Sequence, residues 1–245
     1  MFTGYNETPN LMKNIAHNHI GHSSPRLSVI IPVLNEEEAI GEVIEGAIRF
    51  SPPGTEILVI DNNSIDQTIL FARRKGVRIE KQIRQGKGNA MRLGAIKARG
   101  DILIYIDGDG TYPSEAIGTL IEPIARDNRD VVYASRFIQG GRNGMSFRRH
   151  WGNRILSQIA SVFYGPTTDL LTGLFAIRKE AFLEMNLTSG GFEIETEIFI
   201  KSCRKNYRRE EVPIHFYQRK GESKIHLLRD GGKISWMLLR SKCFL

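Results

Sequence analysis

Two carboxylates stand two positions apart in the stretch DILIYIDGDGTYP, residues 101–113. Asp107 and Asp109 follow a run of strand-forming apolar residues, so they are expected where a buried strand ends. Carboxylates this close repel each other and resist burial unless solvent ions, an arginine or a divalent metal lies between them. Oxygen ligands of this kind can chelate Mg²⁺ or Mn²⁺ while phosphates complete the coordination shell. An ordinary Asp-Gly turn is the alternative, and the position at a strand end favours the metal.

Polar residues also follow the other predicted strands. Glu36 comes after the first strand, Asp61 ends the second, and Lys87 stands between two glycines after the third. Ligands of a parallel α/β sheet bind beyond the carboxyl ends of its strands. These side chains are therefore predicted to form one ligand site with Asp107 and Asp109.

Strand and helix patterns alternate from residue 27 to residue 135, and the turns between them are short. The predicted strands are residues 27–33, 56–61, 77–82, 102–107 and 131–135. Asn35 is interpreted as the N-cap of the first helix. The alternation predicts an α/β protein with a mostly parallel central sheet and helices on both faces.

Beyond residue 135 the regular alternation stops. A Gly-rich loop at 138–147 is followed by a predicted helix at 149–163. A strand running into a helix is predicted at 172–182, a helix at 191–206 and a late strand at 210–216. No Gly-x4-Gly-Lys-Ser/Thr and no Gly-x-Gly-x-x-Gly follows the first strand, which argues against a P-loop and a dinucleotide cofactor.

The positive charge of the chain is concentrated in two regions. The net charge is +7, and residues 201–245 carry twelve Lys and Arg against four Asp and Glu. Residues 137–168 contain four arginines and no acid. Local basicity indicates an anionic partner such as a nucleic acid, a lipid headgroup or a phosphorylated substrate, or else a merely solvated cationic face. Nucleic acid is disfavoured, because no aromatic residues are interleaved as a stacking platform.

The cysteines, the apolar stretches and the N-terminal residues bear on the compartment of the protein and on its relation to membranes. The two cysteines lack metal-like spacing, so a reducing compartment is the default expectation. No stretch approaches the roughly 20 apolar residues of a membrane span. Residues 1–26 have no apolar core typical of a signal peptide and are interpreted as a flexible leader. The histidines of this leader, His17, His19 and His22, are interpreted as polar residues rather than as a metal cluster.

Eight short motifs occur in order along the chain. They are Pro32-Val-Leu-Asn-Glu36, Asp61-Asn-Asn-Ser, Gly86-Lys-Gly-Asn-Ala, Asp107-Gly-Asp109-Gly-Thr-Tyr-Pro, Ser135-Arg136, Gly173-Leu-Phe-Ala-Ile-Arg178, Gly191-Phe-Glu-Ile-Glu-Thr-Glu197 and Arg219-Lys-Gly-Glu-Ser223-Lys224. Together they resemble the family-2 inverting glycosyltransferases of GT-A fold. The similarity is greatest to the polyprenyl (dolichyl) phosphate hexosyltransferases, which include dolichyl-phosphate mannose, glucose and N-acetylglucosamine synthases.

The resemblance implies a nucleotide-sugar donor bound at the strand ends. UDP-sugars are favoured as donors, with GDP-mannose as the alternative. Asp107 and Asp109 would hold Mg²⁺ or Mn²⁺ on the diphosphate, and Arg136 is counted with them as catalytic. The residues implied in donor binding are Pro32, Leu34, Glu36, Asp61, Asn63, Lys87, Asp107 and Gly108.

The resemblance also implies a polyprenyl phosphate as acceptor. A phosphate monoester is already anionic, so it needs a basic cradle rather than a general base. The residues implied in that cradle are Arg136, Arg148, Arg149, Arg219, Ser223 and Lys224. A hydroxyl acceptor on a polysaccharide or small molecule is the alternative, with Glu195 as the possible base. For Glu195, as for Glu193 and Glu197, the favoured interpretation is an acid of a capped helix N-terminus.

The implied organisation is a leader at 1–26, a GT-A catalytic domain at 27–224 and a basic amphipathic segment at 225–245. The last segment could lie on an anionic membrane surface with Trp236 at the interface, or pack on the catalytic domain. Gly231 and Gly232 are expected to weaken a continuous helix there. The expected location is the cytoplasmic face of the cell membrane, as a peripheral enzyme that supplies lipid-linked sugar for protein or cell-surface glycosylation. The oligomeric state stays open.

Overall fold

The computed structural model describes residues 26–138, 145–220, 224 and 227–242. The strands are β1 (Leu27–Val33), β2 (Glu56–Asp61), β3 (Arg78–Lys81), β4 (Ile102–Tyr105), β5 (Val131–Ser135), β6 (Phe175–Arg178) and β7 (Arg209–Pro213). The helices of these residues are α1 (Ile40–Phe50), α2 (Thr68–Arg74), α3 (Lys87–Lys97), α4 (Ile117–Arg126), α5 (Phe147–Tyr164), α6 (Lys179–Glu184), α7 (Ile194–Arg204) and α8 (Leu227–Lys242). A short 3₁₀ turn, Ser114–Ala116, leads into α4.

The seven strands form one sheet in the order β3-β2-β1-β4-β6-β5-β7. Four of the six neighbouring pairs are parallel, and β6 runs antiparallel to both β4 and β5. The predicted mostly parallel α/β sheet is therefore confirmed. The strand order reverses at β1, which lies between β2 and β4, and a crevice at such a reversal is where open α/β sheets bind ligands.

Alternation along each strand divides the hydrophobic core into two layers. In β4, Ile102 and Ile104 face the layer that contains α1 and α4, whereas Leu103 and Tyr105 face the layer that contains α3 and α7. Because all four side chains are almost fully buried, the strand reads as a continuous apolar run. Helices thus cover both faces of the sheet and leave only its edges and strand ends for ligands.

Two local expectations are wrong. The first helix begins at Ile40 and not after Asn35, whose backbone has a φ of 51°. The amide oxygen of Asn35 instead accepts the N–H of Ile65. The C-terminal segment forms one helix, α8, straight through Gly231 and Gly232.

Helix α8 packs against the rest of the described structure. Ile234 and Leu238 are 4% and 0% exposed and join the core layer that contains α3 and α7. The hydroxyl of Tyr164 in α5 donates to the carbonyl oxygen of Leu238 at 2.7 Å. In the part of the chain that the structure describes, every helix is too short or too polar to cross a bilayer.

Candidate active site

A cavity of about 750 Å³ opens at the strand ends where the sheet order reverses. Its walls come from the segment after β1, the loops before α3 and after β4, and the helices α5, α7 and α8. The sequence-predicted residues that line it are Pro32, Leu34, Glu36, Lys87, Asp107, Gly108, Asp109, Arg136, Arg149, Glu195, Arg219 and Lys224. Tertiary folding therefore brings together residues that are up to 192 positions apart in the chain.

Lys87 bridges two carboxylates at the bottom of the cavity. Its Nζ lies 2.6 Å from Asp107 Oδ1 and 2.6 Å from Glu195 Oε1, and its side chain is 13% exposed. Burial raises the pKa of both carboxyl groups, and the lysine opposes that rise. Burial by itself would lower the pKa of Lys87, but the two carboxylates hold it above its ordinary value. The lysine therefore stays charged and keeps two anions close together.

A glycine before Lys87 lets two loops approach closely. Gly86 has a φ of 136°, and a Cβ added there would lie 2.1 Å from the carbonyl oxygen of Gly190. The N–H of Gly86 donates to the side-chain oxygen of Asn62, which ties the loop to the end of β2. The loop that carries Lys87 is thus held against the segment leading to Glu195. This contact explains the glycine without any phosphate-binding loop.

Arg219 and Lys224 neutralise a second pair of carboxylates, those of Glu36 and Asp109. Arg219 Nη1 donates to Asp109, and its Nη2 lies 2.6 Å from Glu36 Oε1. Lys224 Nζ lies 2.8 Å from the same Glu36 oxygen and 2.6 Å from the carbonyl oxygen of Asn35. Burial raises the pKa of Glu36, while Lys224 and Arg219 oppose the rise. The side chains of Arg219 and Lys224 therefore both contact acidic groups at the strand ends.

Asp107 and Asp109 carry carboxylate oxygens, the ligand type that Mg²⁺ and Mn²⁺ prefer. In the described part of the chain no three His, Cys, Asp or Glu side chains are placed to hold a metal. Such an ion would therefore bind the two carboxylates and complete its shell with ligand oxygens. A Cβ on Gly173 would lie 2.2 Å from Asp107 Oδ2, so the glycine leaves the room that the carboxylate occupies. Lys87 and Arg219 show that both carboxylates need positive charge beside them.

Arg136 donates three side-chain hydrogen bonds to protein groups. Its Nε and Nη2 donate to the two oxygens of Asp169 at 2.6 and 2.7 Å, and Nη2 also donates to the carbonyl oxygen of Leu171 at 2.8 Å. The guanidinium lies 5.1 Å from the ring centre of Phe216 and 5.6 Å from that of Tyr112. Arg136 lines the cavity, but its bidentate partner is a carboxylate of the chain itself.

Helices α5 and α8 add cations and apolar groups to the cavity wall. Helix α5 contributes Arg149 and Ile155, and helix α8 contributes Arg229, Lys233 and Ile234, together with Asp230, which pairs with Arg229 at 3.1 Å. Arg149 is only partly exposed, whereas Arg229 and Lys233 are exposed. One cavity thus holds carboxylates of the strand ends together with cations and apolar groups of α5 and α8.

Four of the predicted site residues are not among those that line this cavity. The carboxylate of Asp61 is buried and accepts the N–H of Ser64 at 2.8 Å. Asn63 donates from its side chain to the carbonyl oxygen of Ile83. Arg148 is exposed on α5, and Ser223 lies outside the described residues. Ligand roles for these four, and for the predicted residues that do line the cavity, stay predictions.

Other interpretations are settled by hydrogen bonds. Asp66 accepts the N–H and hydroxyl of Thr68 at the start of α2, so it has a structural role at that end of the helix. Glu197 accepts the N–H groups of Thr188 and Ser189 and pairs with Lys201. Among the three glutamates at 193, 195 and 197, the one that lines the cavity is Glu195.

The sequence did not predict the roles of several residues that hold the site residues in place by hydrogen bonds. Asp169 is 1% exposed at its side chain and binds both Arg136 and Asn153. The hydroxyl of Tyr112 accepts the N–H of Gly173 at 2.6 Å. Gly173 and Tyr112 both stand inside motifs that the sequence singled out, whereas Asp169 carried no local signal.

Residues 28–185 match the family model described as glycosyl transferase family 2. The chain belongs to glycosyl transferase family 2. It is 32% identical over 217 residues to glycosyltransferase AglJ of Haloferax volcanii, covering 86% of this chain and 70% of that protein. It is 29% identical to the dolichyl-phosphate hexose transferase of the same organism, covering 87% of this chain and 92% of the relative.

Family membership identifies this protein as a glycosyltransferase. A further relative is the dolichol-phosphate mannosyltransferase of Pyrococcus furiosus, 33% identical with 82% of this chain and 59% of that protein covered. Among solved structures, glucosyl-3-phosphoglycerate synthase from Mycobacterium tuberculosis with Mn²⁺, UDP-glucose and phosphoglyceric acid superposes with a TM-score of 0.77. The superposition covers 96% of this chain and 84% of that one at 20% identity. The glycosyltransferase therefore has the GT-A fold that its motifs implied.

Proposed function

We propose that this glycosyltransferase transfers a hexose from a UDP-sugar to a dolichyl or other polyprenyl phosphate, with inversion at the anomeric carbon. Two relatives named for dolichyl-phosphate hexose and dolichol-phosphate mannose transfer support the acceptor class. The fold neighbour that binds Mn²⁺ and UDP-glucose supports the donor and the metal. GDP-mannose is the alternative donor.

The observation that carries the proposal is that one cavity joins the carboxylates at the strand ends with cations and apolar groups of α5 and α8. Asp107 and Asp109 mark the proposed donor site, where Mg²⁺ or Mn²⁺ held by them would neutralise charge on the departing diphosphate. Arg149, Arg229 and Lys233 mark the proposed site for an anionic acceptor. Guanidinium groups bind phosphate oxygens in a bidentate fashion and bring one anion close to another.

The acceptor phosphate is the nucleophile in this reaction. One of its oxygens attacks the anomeric carbon on the side opposite the nucleoside diphosphate. The new bond between carbon and the phosphate oxygen forms as the bond to the diphosphate oxygen breaks, and the nucleoside diphosphate leaves with that electron pair. The acceptor oxygen is already deprotonated near neutral pH, so no side chain has to remove a proton. The product is a β-linked lipid-phosphate sugar if the donor is an α-linked hexose.

Different residues hold the proposed donor and acceptor sites in position. Lys87 fixes Asp107 relative to Glu195, since one ammonium bridges both carboxylates at 2.6 Å. Arg136 holds the 169–171 segment beneath the cavity through Asp169 and Leu171. We infer that Arg219 leaves Asp109 when a cation binds there, which would release its guanidinium for the donor phosphates. Arg219 is therefore proposed to change its partner from the carboxylate of Asp109 to a phosphate of the donor.

The direct test is transfer of label to lipid. Purified protein is incubated with Mn²⁺, dolichyl phosphate in detergent, and labelled UDP-glucose, UDP-N-acetylglucosamine or GDP-mannose in separate reactions. Label that enters the organic phase from at least one donor, and that is lost in Asp109→Ala, supports the proposal. Organic phases without label from every donor, beside an active control enzyme, would reject it.

A hydroxyl acceptor is the second candidate, and the position of Glu195 favours it. This carboxylate lines the cavity 2.6 Å from Lys87 and is the acid best placed to serve as a general base. Glu195→Gln would then abolish turnover, while Arg149→Ala and Arg148→Ala would be tolerated. A phosphate acceptor predicts the reverse for Arg149, with a rise in the acceptor KM. Assayed side by side, Glu195→Gln and Arg149→Ala distinguish a hydroxyl acceptor from a phosphate acceptor.

The proposed working place is the cytoplasmic face of the cell membrane, where a polyprenyl phosphate presents its headgroup. The basic outer residues of α8 would attract anionic lipid. The proposed role there is to supply lipid-linked sugar for protein or cell-surface glycosylation. Fractionation of cells into membranes and cytosol, with and without high salt, tests peripheral attachment.

A further inference from the structure

Helix α5 exposes a stripe of large apolar residues, while Leu156, Ile159 and Ala160 on its other side pack in the core. Phe147, Trp151, Ile155 and Val162 are between 49% and 79% exposed. At about 100° per residue these four side chains fall within an arc of roughly 80°. A helix on a globular protein normally turns its apolar stripe towards the core. Packing within the chain therefore does not explain the second, exposed apolar stripe of α5.

The inner face of α5 is occupied by hydrogen bonds that support the site. Asn153 is 4% exposed and donates to Asp169 at 2.6 Å. Ser157 is 3% exposed, donates to Asn153 and accepts the N–H of Leu170 at 2.9 Å. These bonds fix the rotation of the helix about its axis. The apolar stripe consequently cannot turn inward without breaking the buried network.

Helix α8 carries a complementary outer face. Its inner side buries Ile234 and Leu238, and its opposite side exposes Arg229, Lys233 and Trp236. Trp236 is 63% exposed. The chain has two tryptophans in all, Trp151 and Trp236, and both are exposed on this pair of helices. Tryptophan favours the boundary between acyl chains and headgroups, because its ring is apolar and its N–H needs a polar partner.

Charge is distributed as an anionic surface would require. Helix α5 contains no acidic residue, and the exposed Arg148 and Arg154 flank its apolar stripe. Arg229 and Lys233 add positive charge on α8. Apolar groups surrounded by cations match a bilayer with anionic headgroups. A second copy of this chain in a two-fold dimer would instead place like charges opposite each other.

We propose that the outer faces of α5 and α8 form one docking surface for an anionic lipid bilayer, with the α5 stripe inserted among the acyl chains. This inference rests on the proposed lipid acceptor and extends it, since it assigns membrane contact to α5 as well as to the basic tail. Ile155 belongs both to the stripe and to the cavity wall. Docking on this surface therefore brings the cavity mouth to the level of the headgroups, where a lipid phosphate lies.

The two tryptophans make the proposal directly measurable. Trp236→Phe leaves Trp151 as the single tryptophan, and Trp151→Phe leaves Trp236. Each variant is titrated with vesicles of phosphatidylcholine and phosphatidylglycerol at 3:1, with and without brominated acyl chains. Emission that shifts to shorter wavelength and is quenched by the bromolipid in the Trp151-only variant supports insertion of α5. Emission of that variant that is unchanged on adding saturating vesicles overturns it.

A double variant tests whether this surface binds vesicles specifically or whether exposed apolar residues anywhere on the protein do so. Trp151→Ser with Val162→Ser removes two exposed stripe residues that do not line the cavity. We expect a vesicle partition coefficient at least ~10-fold lower, since two large apolar side chains no longer leave water. Ile48→Ser with Ile96→Ser is the matched control, because these residues are 50% and 65% exposed on α1 and α3. Equal loss in both double variants, or no loss in either, would contradict the assignment.

Two further readouts distinguish the possible failures. With a short, water-soluble isoprenoid phosphate the Trp151/Val162 double variant should keep wild-type turnover, while turnover of dolichyl phosphate in vesicles falls. Vesicle binding by the wild type without any lipid-soluble product would leave the surface supported and reject the proposed acceptor. A wild-type dimer in size-exclusion chromatography that becomes a monomer in the double variant would show that a second copy covers the stripe, and would overturn the proposal.

Discussion

Replacing Gly173 by alanine tests how tightly the position of Asp107 is set. A Cβ at residue 173 would lie 2.2 Å from Asp107 Oδ2, 2.7 Å from its Cγ and 3.0 Å from its Oδ1. All three distances are shorter than an ordinary van der Waals contact. Because Gly173 does not have a positive φ, the new methyl acts by contact and not by backbone strain. The substitution is therefore a specific displacement of one carboxylate.

The backbone around residue 173 leaves little freedom to yield. The N–H of Gly173 donates to the hydroxyl of Tyr112 at 2.6 Å, and the carbonyl oxygen of Leu174 accepts the N–H of Ala134 at 3.0 Å. The carboxylate of Asp107 must consequently move by roughly 1 Å to restore contact distance. A misplacement of that size costs about 100-fold in rate, equivalent to about 2.7 kcal/mol of transition-state stabilisation.

The assay compares kcat/KM and Mn²⁺ affinity of Gly173→Ala with those of the wild type at saturating acceptor. Both are expected to fall, and the thermal unfolding midpoint checks that the protein is folded. Gly152→Ala is the matched control, since Gly152 also lines the cavity but a Cβ there would meet no atom within 4 Å. Its activity should stay within about twofold of the wild type.

A double-mutant cycle shows whether Gly173 acts through Asp107. If it does, Gly173→Ala should cost nothing further in an Asp107→Ala background, because residues that act as one unit are not additive. Wild-type metal affinity and activity in Gly173→Ala would refute the reasoning. Equal losses in both backgrounds would also refute it, because they would place the effect elsewhere.

Three further outcomes are expected. Lys87→Ala should move the acidic limb of the pH profile of kcat/KM to higher pH. Burial already raises the pKa of Asp107 and Glu195, and removal of their shared cation raises it further, so protonation begins at a higher pH as pH falls. Asp169→Ala should lower the free energy of unfolding in urea by about 3–5 kcal/mol, since it leaves the Arg136 guanidinium buried and unpaired. A chelator should abolish sugar transfer, and added Mn²⁺ should restore it.

The surface ion pair between Glu45 and Lys75 supplies control variants for two of these outcomes. Lys75→Ala should leave the pH profile unchanged, and Glu45→Ala should change the free energy of unfolding by no more than about 1 kcal/mol. An acidic limb that stays in place in Lys87→Ala, or a lysine control that moves it equally, contradicts the electrostatic argument. Asp169→Ala as stable as Glu45→Ala contradicts a buried ion pair. Undiminished transfer in chelator contradicts the proposed metal.

Local patterns predicted most of the central sheet. The bounds of β1, β2 and β5 agree with the apolar runs that indicated them. Those strands are buried on both faces, so their apolar run is continuous and ends abruptly in polar residues. The ligand edge could be predicted for the same reason, since Glu36, Lys87 and Asp107 each follow a strand of a parallel sheet.

Where local signals failed, contacts between distant segments had overridden them. Asn35 is a good N-cap residue, but the N–H of the following Glu36 donates to Thr68 and the segment is held away from helical geometry. Gly231 and Gly232 disfavour helix, yet α8 continues because Ile234 and Leu238 are anchored in the core on their C-terminal side. Antiparallel pairing of β6 with both neighbours likewise depends on long-range topology.

The sequence by itself determined the fold class, the family resemblance and the acidic and basic character of the site. These depend on local periodicity and on residue types within short motifs, which folding does not alter. Only the tertiary structure decided which charges meet. Lys87 pairs with Asp107 and Glu195, and Arg136 pairs with Asp169. Partners of a buried charge are chosen by geometry across the sheet, and many carboxylates along the chain are chemically equivalent until folding brings one within reach.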